Sequence, residues 1–181
     1  MELKCDNCNK RVLTTITNDS RIKPFCNLKK NSDINLLLQY FLYYAPTIDS
    51  KLSVAIIEKN LMNSCLEQML SERHFLGRFI NNNSKFKKDD DFTIGNEICL
   101  KCKRYICRKK DLKANESDFE CFLRHIRNSI AHGNVFLLFQ KNRNKVYVFD
   151  DYNKNGNLSS RIICLQADLE SWKKNITKFS K

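Results

Sequence analysis

The stretch that decides the fold prediction is Phe122-Leu123-Arg124-His125-Ile126-Arg127-Asn128-Ser129-Ile130-Ala131-His132-Gly133. Its apolar residues recur at three- and four-residue spacing, which indicates an amphipathic helix over roughly 116–131, called here the motif helix. On a wheel of about 100° per residue, the apolar residues lie within about 60° of Ile126. Arg124, Asn128 and His132 then lie about 160°, 200° and 240° away, and Arg127 flanks them at about 100°. One face should therefore meet a core, while the other carries arginine, amide and imidazole groups.

Further helices are predicted on both sides of the motif helix. An apolar run over 34–44 follows polar N-cap candidates, and its all-round apolar character is typical of a central, buried helix. A second helix is predicted over about 49–71, with a continuation or a restart through 75–80. A last helix, capped by Asp168, carries Leu169 and Trp172 on one face.

Strands are predicted mainly after the motif helix. Gly133 suits the left-handed position just past a helix end. The hydrophobic period then changes to two, which predicts a hairpin of 135–140 with 145–150 and a third strand over 160–165. A short strand is expected within 11–17, and residues 85–115 are expected to be irregular. The chain is thus predicted to be helix-rich with a small late β-element.

Length and composition favour one soluble domain over residues 1–181. The chain has 181 residues, of which 42% are hydrophobic, so it can bury a core without disulfide staples. Four glycines and two prolines argue against an all-β sandwich, which needs many tight turns. The longest apolar run is too short for a bilayer, which takes about 20 residues. Because the N-terminus lacks an apolar signal region, we expect a cytoplasmic protein with reduced thiols.

The charge balance predicts a polyanionic partner, nucleic acid first. Thirty-two basic residues stand against 20 acidic ones, which gives a net charge of +12. A basic segment directly precedes the motif helix, with Tyr105 interleaved as a surface on which a base can stack. We predict that it contacts RNA, with a solvated charged loop as the alternative. The segment comprises Lys101, Lys103, Arg104, Arg108, Lys109 and Lys110.

The polar face of the motif helix suits the cleavage of a phosphodiester without a metal. A histidine of near-neutral pKa can move protons, and a guanidinium can hold a phosphate bidentately. One histidine supplies only half of the acid–base chemistry, so a symmetry mate would have to supply the other half. The alternative is that this face is simply solvated.

Arg127-Asn128-Ser129-Ile130-Ala131-His132-Gly133, late on an amphipathic helix, resembles the signature of the HEPN superfamily. Gly133, the apolar strand 135–139, Phe149-Asp150, Leu169 and Trp172 resemble a bacterial subfamily found on plasmids and in defence loci. The resemblance covers about residues 117–175. The resemblance implies a mainly α fold, a bundle of four to five helices that forms a homodimer. It also implies that both copies of the motif line one composite cleft. Many members are metal-independent endoribonucleases that act as toxins or anti-phage defence effectors.

The resemblance also implies roles for the motif residues. Arg127 would bind and polarise the scissile phosphate, His132 would be the general acid or base, and Asn128 would orient His132 or the phosphate. Arg124 is added from the helical wheel as an RNA-binding residue. Cleavage would leave 2′,3′-cyclic-phosphate ends and would need no cofactor. Asn134 stands where some toxin members carry a tyrosine, which argues against an antitoxin that modifies that position, although an antitoxin or inhibitor protein remains an expected partner.

Two other functions stay open at this point, and two histidines are expected to be ordinary. The chain could be a non-catalytic HEPN dimer that serves as an RNA- or protein-binding scaffold. It could also be a zinc-dependent nucleic-acid-binding module in which the motif helix merely has a polar face. His125 lies on the flank of the helix, and His74 follows a charged run.

The cysteines suggest a structural zinc site. Cys5-Asp6-Asn7-Cys8 and Cys99-Leu100-Lys101-Cys102 are both C-x2-C pairs, and two such pairs are a familiar tetrahedral zinc arrangement. The site would tie the segment 1–31 to the segment 85–115. Three alternatives stay open. The thiols could be reduced and independent, or one pair could form a redox switch, because basic neighbours lower the pKa of its thiols. Alternatively, Cys26 or Cys107 could replace one of the four zinc ligands. Cys65, Cys121 and Cys164 are expected to be packing residues.

Overall fold

The computed structural model describes residues 13–22, 33–44, 57–84, 97–99, 103–110, 115–139 and 145–180. In these ranges the chain forms four helices and eight strands. The helices are α1 (Asp33–Gln39), α2 (Lys59–Ser71), α3 (Asp118–Ala131) and α4 (Gln166–Phe179). A π-helical turn over Tyr40–Tyr44 extends α1, and a 3-10 turn spans Asn18–Ser20.

Six of the eight strands form one mixed sheet. The strands are β1 (Leu13–Thr15), β2 (Arg21–Ile22), β3 (Leu76–Ile80), β4 (Glu97–Cys99), β5 (Arg104–Arg108), β6 (Val135–Phe139), β7 (Lys145–Tyr152) and β8 (Leu158–Leu165). The sheet order is β2-β6-β7-β8-β5-β3, and β1 pairs separately with β4. The β3–β5 pair is parallel, and the other pairs are antiparallel.

The main core lies between the helices and one face of the sheet. Helices α3 and α4 pack on the sheet, and α1 and α2 pack against those two helices. Aromatic rings run through this layer: Phe122 of α3 meets Trp172 of α4 with ring centroids 5.1 Å apart, and Tyr105 of β5 with centroids 5.5 Å apart. The Trp172 indole donates to the Met69 carbonyl at 3.1 Å, so the buried polar atom of the ring is satisfied.

The opposite face of the sheet has a smaller apolar cluster and a buried ion pair. Phe136, Val148 and Ile163 belong to this cluster. Asp150 and Arg161 lie directly opposite each other on β7 and β8. The Arg161 guanidinium donates to both carboxylate oxygens of Asp150 at 2.7 Å, a bidentate arrangement between two buried side chains.

The motif helix α3 has a defined start and a defined end. Ser117 caps its N-terminus, since its hydroxyl accepts from the Glu120 amide while the Glu120 carboxylate accepts from the Ser117 amide, a capping box. At the other end, Gly133 has φ +66°, and the Asn134 amide donates to the Ser129 carbonyl at 2.8 Å. This is a Schellman motif, and it confirms the left-handed position predicted for Gly133.

The prediction of a mainly α helical bundle is wrong. The six-stranded mixed sheet is a major layer of the structure rather than a small late element. The predicted late strands are all present, but three strands that the sequence analysis did not anticipate, β2, β3 and β5, join them. The three predicted strands β6, β7 and β8 therefore form the centre of a larger sheet. Strand β2 is added at one edge, and β5 and then β3 are added at the other.

Several predicted elements need correction. Residues 75–80, predicted as the continuation or restart of a helix, include strand β3, which pairs in parallel with β5. The stretch 85–115, predicted as irregular, contains β4 and β5. The helix predicted from about residue 49 begins at Lys59, after an extended Glu58, and residues 49–56 lie outside the described part of the chain. None of the helices in the described ranges is long and apolar enough to cross a membrane.

Candidate functional site

The three motif residues Arg127, Asn128 and His132 lie on the last turns of α3. Arg127 and Asn128 are half-buried, and His132 is exposed. His132 is the C-cap residue, so its side chain stands at the end of the helix rather than along its side. Its amide donates to the Asn128 carbonyl at 2.9 Å. Arginine, amide and imidazole therefore share one end of one helix, as the sequence analysis predicted.

The backbone around His132 is fixed from two sides. The Schellman motif holds the helix end, and the Asn134 carbonyl then accepts from the Asp150 amide at 3.0 Å on β7. The exposed imidazole is thus mounted on a rigid support, which catalytic groups require. The C-terminal end of a helix carries partial negative charge, so a phosphate bound there needs a cation. Arg127 is the cation that the motif provides.

The middle of α3, over residues 121–126, is covered on both faces. Arg124 is only 7% exposed, and its guanidinium donates to both carboxylate oxygens of Glu116, at 2.5 Å and 3.0 Å. A third hydrogen bond runs to the Arg108 carbonyl at 3.0 Å. Burial by itself raises the pKa of Glu116, but the bonds from Arg124 and from the Lys110 amide outweigh it, so the pKa lies below its ordinary value.

The prediction that Arg124 stands on the RNA-facing side of α3 is therefore wrong. The wheel correctly puts it opposite the apolar face, but β5, β7 and the segment before α3 cover that side. Its guanidinium is occupied within the fold, where it forms a buried ion pair with Glu116. Arg124 is therefore no longer expected to contact RNA.

His125 is the residue that sequence reasoning missed. Its ring is fully buried, with Nδ1 2.7 Å from Asp151 Oδ2 and Nε2 2.8 Å from the Arg108 carbonyl oxygen. The same Asp151 oxygen accepts from the Asn128 amide at 3.1 Å. Asp151 thus links a buried histidine to a motif residue. We call Glu116, Arg124, His125 and Asp151 the buried polar cluster.

The contacts of His125 require one extra proton in this cluster. A carbonyl oxygen only accepts, so Nε2 must carry a hydrogen toward Arg108. Nδ1 then meets a carboxylate, and one proton has to lie between them, either on the ring or on Asp151. Burial lowers the pKa of His125 below its ordinary value, and the hydrogen bond to Asp151 offsets part of that effect. One hydrogen bond therefore joins His125 Nδ1 and Asp151 Oδ2 inside the fold.

One signal in the sequence does point to this pair. Asp150 and Asp151 are consecutive acidic residues at the end of the apolar run of β7, and in a strand they must face opposite sides of the sheet. A sheet covered on both faces buries both carboxylates, so each needs a partner. His125 and Asn128 are three residues apart on a helix and can meet the same partner.

The basic segment is largely engaged within the protein. Arg104 is 8% exposed and lies in β5. The Arg108 guanidinium donates to the Asn81, Asn82 and Ser84 carbonyls, at 3.2, 2.6 and 2.7 Å.

The lysines of the segment have contacts as well. Lys103 lies 3.4 Å from the buried Asp168 carboxylate, and Lys109 pairs with Asp118. Lys110 is half-buried, and its backbone amide donates to Glu116. Lys101 lies outside the described residues. Contact with RNA remains a prediction for Lys101, Lys103, Arg108, Lys109 and Lys110, whereas the burial of Arg104 excludes it from that surface.

The described cysteines are core residues. Cys65, Cys107, Cys121 and Cys164 are buried and free, which confirms the packing role predicted for Cys65, Cys121 and Cys164. Burial raises the pKa of Cys65 and of Cys107 to about 12, so neither thiol ionises at neutral pH. Cys107 contacts the Ser160 hydroxyl at 3.2 Å inside the core, which is not the setting of a replacement zinc ligand.

The zinc-ligand prediction concerns residues that are mostly outside the described ranges. Cys5, Cys8 and Cys102 are not described, and of Cys99 only the backbone is. In the part of the chain that the structure does describe, no group of three or more metal-binding side chains comes together. Leu13, however, pairs with Cys99 in the β1–β4 ladder, so the N-terminal segment meets the strand that ends in the second C-x2-C pair.

Comparison with known families identifies the class of protein. The family model described as HEPN pEK499 p136 matches residues 7–181. The chain belongs to this family, which confirms the predicted HEPN membership and points to a nuclease or another RNA-related function. No curated protein and no solved structure matches the chain.

Proposed function

We propose that the protein is an endoribonuclease that cleaves RNA without a metal, using Arg127 and His132. One observation carries the proposal: after the fully buried middle of α3, its last turns become accessible again, and these turns carry the motif. His132 is exposed there on a rigid C-cap, one turn beyond the half-buried Asn128.

The chemistry follows from the groups present. A ribose 2′-oxygen attacks the adjacent phosphorus while its proton passes to an imidazole. The bond from phosphorus to the 5′-oxygen breaks, and that oxygen receives a proton from a second imidazole. The products are a 2′,3′-cyclic phosphate and a free 5′-hydroxyl. Arg127 holds the phosphate and stabilises the charge of the pentavalent transition state.

Two imidazoles require two chains. We propose a homodimer in which the last turns of both α3 helices line one cleft, so that each copy supplies one His132. Two guanidiniums then face each other, and the RNA phosphates offset their repulsion. A cytoplasmic toxin or anti-phage effector, restrained by an antitoxin or inhibitor protein, is the biological role that fits such an activity.

Substitution of Arg127 separates its two contributions. Arg127→Lys keeps the positive charge but loses the planar bidentate geometry, whereas Arg127→Ala loses both. We expect cleavage of an RNA oligonucleotide to fall about 10-fold or more for Arg127→Lys and about 10²-fold or more for Arg127→Ala.

The melting temperature of each Arg127 variant is the control, since both should match the wild type within a few degrees. RNA binding should weaken along with cleavage. Cleavage at the wild-type rate by Arg127→Ala would contradict the role proposed for Arg127, whereas a wild type that binds RNA without cleaving it would favour the non-catalytic scaffold.

We also propose that Cys5, Cys8, Cys99 and Cys102 hold a structural zinc ion. The β1–β4 pairing supports this, because it joins the two segments that carry the C-x2-C pairs. Elemental analysis of protein purified without chelator should find about one zinc per chain, and Cys99→Ser should lose it. A wild-type protein that is free of zinc and equally stable in EDTA would contradict the site. The ion has no step in the proposed cleavage.

A further inference from the structure

The Asn128 amide is held at one end by the buried polar cluster. Its Nδ2 donates to Asp151 Oδ2 at 3.1 Å, and that oxygen also lies 2.7 Å from His125 Nδ1. Asp151 reaches α3 from β7, so the contact joins the motif helix to the sheet. Asn128 therefore has a fixed rotamer before any ligand arrives.

The chemistry of the Asp151 carboxylate determines which end of the Asn128 amide faces it. A carboxylate oxygen that already faces an imidazole nitrogen accepts hydrogen bonds and has none to give to an amide oxygen. The guanidinium of Arg124, which can only donate, also lies 4.0 Å from the same oxygen. The nitrogen of Asn128 must therefore point toward Asp151, and the carbonyl oxygen must point away.

The carbonyl oxygen of Asn128 stays available. In the described ranges no side chain or amide donates a hydrogen bond to Asn128 Oδ1, and the atom is not among the buried polar atoms that lack a partner. It therefore keeps access to solvent, beside Arg127 and one turn before His132. The surface of the motif thus combines a cation from Arg127 with an acceptor from Asn128.

We propose that Asp151 is a positioning residue that turns the Asn128 carbonyl oxygen toward the ligand, where it accepts a hydrogen bond from a ribose 2′-hydroxyl of RNA. This inference rests on the proposed function and narrows it. A phosphate oxygen carries no hydrogen at neutral pH, so an acceptor cannot hold it, and Arg127 alone takes the phosphate. A 2′-hydroxyl can donate, and it is the group that distinguishes RNA from DNA.

The hydroxyl that Asn128 holds is not the one that reacts. The attacking 2′-hydroxyl gives its proton to the general base, so the hydrogen of that group is already committed. Asn128 therefore holds the 2′-hydroxyl of a nucleotide that flanks the scissile phosphate. Its contribution is selectivity for ribose rather than proton transfer.

The substitution Asp151→Asn should reverse the orientation of the Asn128 amide while keeping the hydrogen bond between the two side chains. The new NH₂ group takes the position of Oδ2 and carries two hydrogens, one for His125 Nδ1 and one for Asn128. His125 becomes a neutral ring that still donates to the Arg108 carbonyl. Asn128 must then turn its oxygen inward to accept and its NH₂ outward, so the motif presents a donor where the wild type presents an acceptor.

The test uses three single-stranded oligonucleotides of one sequence, with 2′-hydroxyl, 2′-fluoro or 2′-deoxy sugars. Fluorine keeps an RNA-like sugar pucker but cannot donate a hydrogen bond. Dissociation constants are measured in a His132→Asn background, which prevents turnover. We expect the 2′-hydroxyl strand to bind about 3- to 10-fold more tightly than either analogue.

Three variants in that background, each with its melting temperature, complete the test. With Asp151→Asn or Asn128→Ala the preference for the 2′-hydroxyl strand should fall to less than about 2-fold, and with the control Asp118→Asn, on the first turn of α3, it should be unchanged. If Asp151→Asn fails to fold, the loss or retention of the 2′-hydroxyl preference in Asn128→Ala still decides whether Asn128 meets a donor.

Three results would overturn the inference: equal binding of the hydroxyl and fluoro strands, a folded Asp151→Asn protein that keeps the full preference, or an Asn128→Ala protein that keeps it. Because these are binding measurements, they stand apart from catalysis. A wild-type protein that discriminates between the strands but never cuts RNA would sink the ribonuclease proposal and leave the assignment of Asn128 intact.

Discussion

His132→Asn should lower the rate of RNA cleavage by about 10²- to 10⁴-fold, because it removes a general acid–base group from both halves of the proposed cleft. The fold should be unaffected, since the His132 side chain is exposed and the cap around it is formed by backbone groups. Cleavage rate and melting temperature are measured on the same preparations.

His74→Asn is the matched control for that substitution. His74 is also exposed, it lies just after α2, and its φ of +52° is one that asparagine tolerates. The same chemical change is thus made at a histidine that we expect to be ordinary. Equal losses for His74→Asn and His132→Asn would argue against a specific role of the motif histidine.

Asp150→Ala should have the largest effect on stability. Asp150 and Arg161 form a buried bidentate ion pair, and removing the carboxylate leaves a buried guanidinium without its counter-charge. Breaking such a pair costs about 3–5 kcal/mol in the free energy of unfolding. Chemical denaturation of the wild type and the variant measures the difference.

Two further variants test whether the ion pair itself is responsible. Asp118→Ala breaks the contact with Lys109 near the surface, where the carboxylate is 40% exposed, and should cost about 0–1 kcal/mol. The double variant Asp150→Ala/Arg161→Met removes both charges and should recover part of the loss. If Asp150→Ala lowers the free energy of unfolding no more than Asp118→Ala does, the Asp150–Arg161 pair does not have the stabilising role assigned to it.

Local sequence signals predicted the elements that local physics controls. The end of α3 depends on one glycine and two backbone hydrogen bonds, so Gly133 identified it. The β6–β7 hairpin follows the motif helix directly, and its alternating pattern is complete within a few residues. Trp172 and Leu169 lie buried on the inner face of the last helix, as their spacing indicated.

The elements that were missed depend on partners far away in the chain. Phe75 and Phe79 have helical spacing, but the segment pairs in parallel with β5, nearly thirty residues later. Strand β5 is masked by its composition, since Arg104 and Arg108 bracket its apolar centre and suggest a solvated loop. No periodicity in either segment reveals that the two form a ladder.

The candidate site shows the same difference between features set by local sequence and features set by distant partners. The helical wheel put Asn128 and His132 on the polar face with Arg124, and put Arg127 on its flank, because these placements depend on one helix alone. It could not show that Asp151 and the Arg108 carbonyl cover the middle of that helix. Those groups come from β7 and β5, so Arg124 was assigned to the surface and His125 was dismissed. The polar face of a helix is a surface only where no other element lies against it.

The most direct test of the account is RNA cleavage by purified protein in EDTA, comparing the wild type with His132→Asn and determining the chemistry of the new ends. We predict that the wild type cuts to 2′,3′-cyclic-phosphate and 5′-hydroxyl ends and that His132→Asn does not cut. Cleavage that requires a divalent metal and survives His132→Asn would contradict the account.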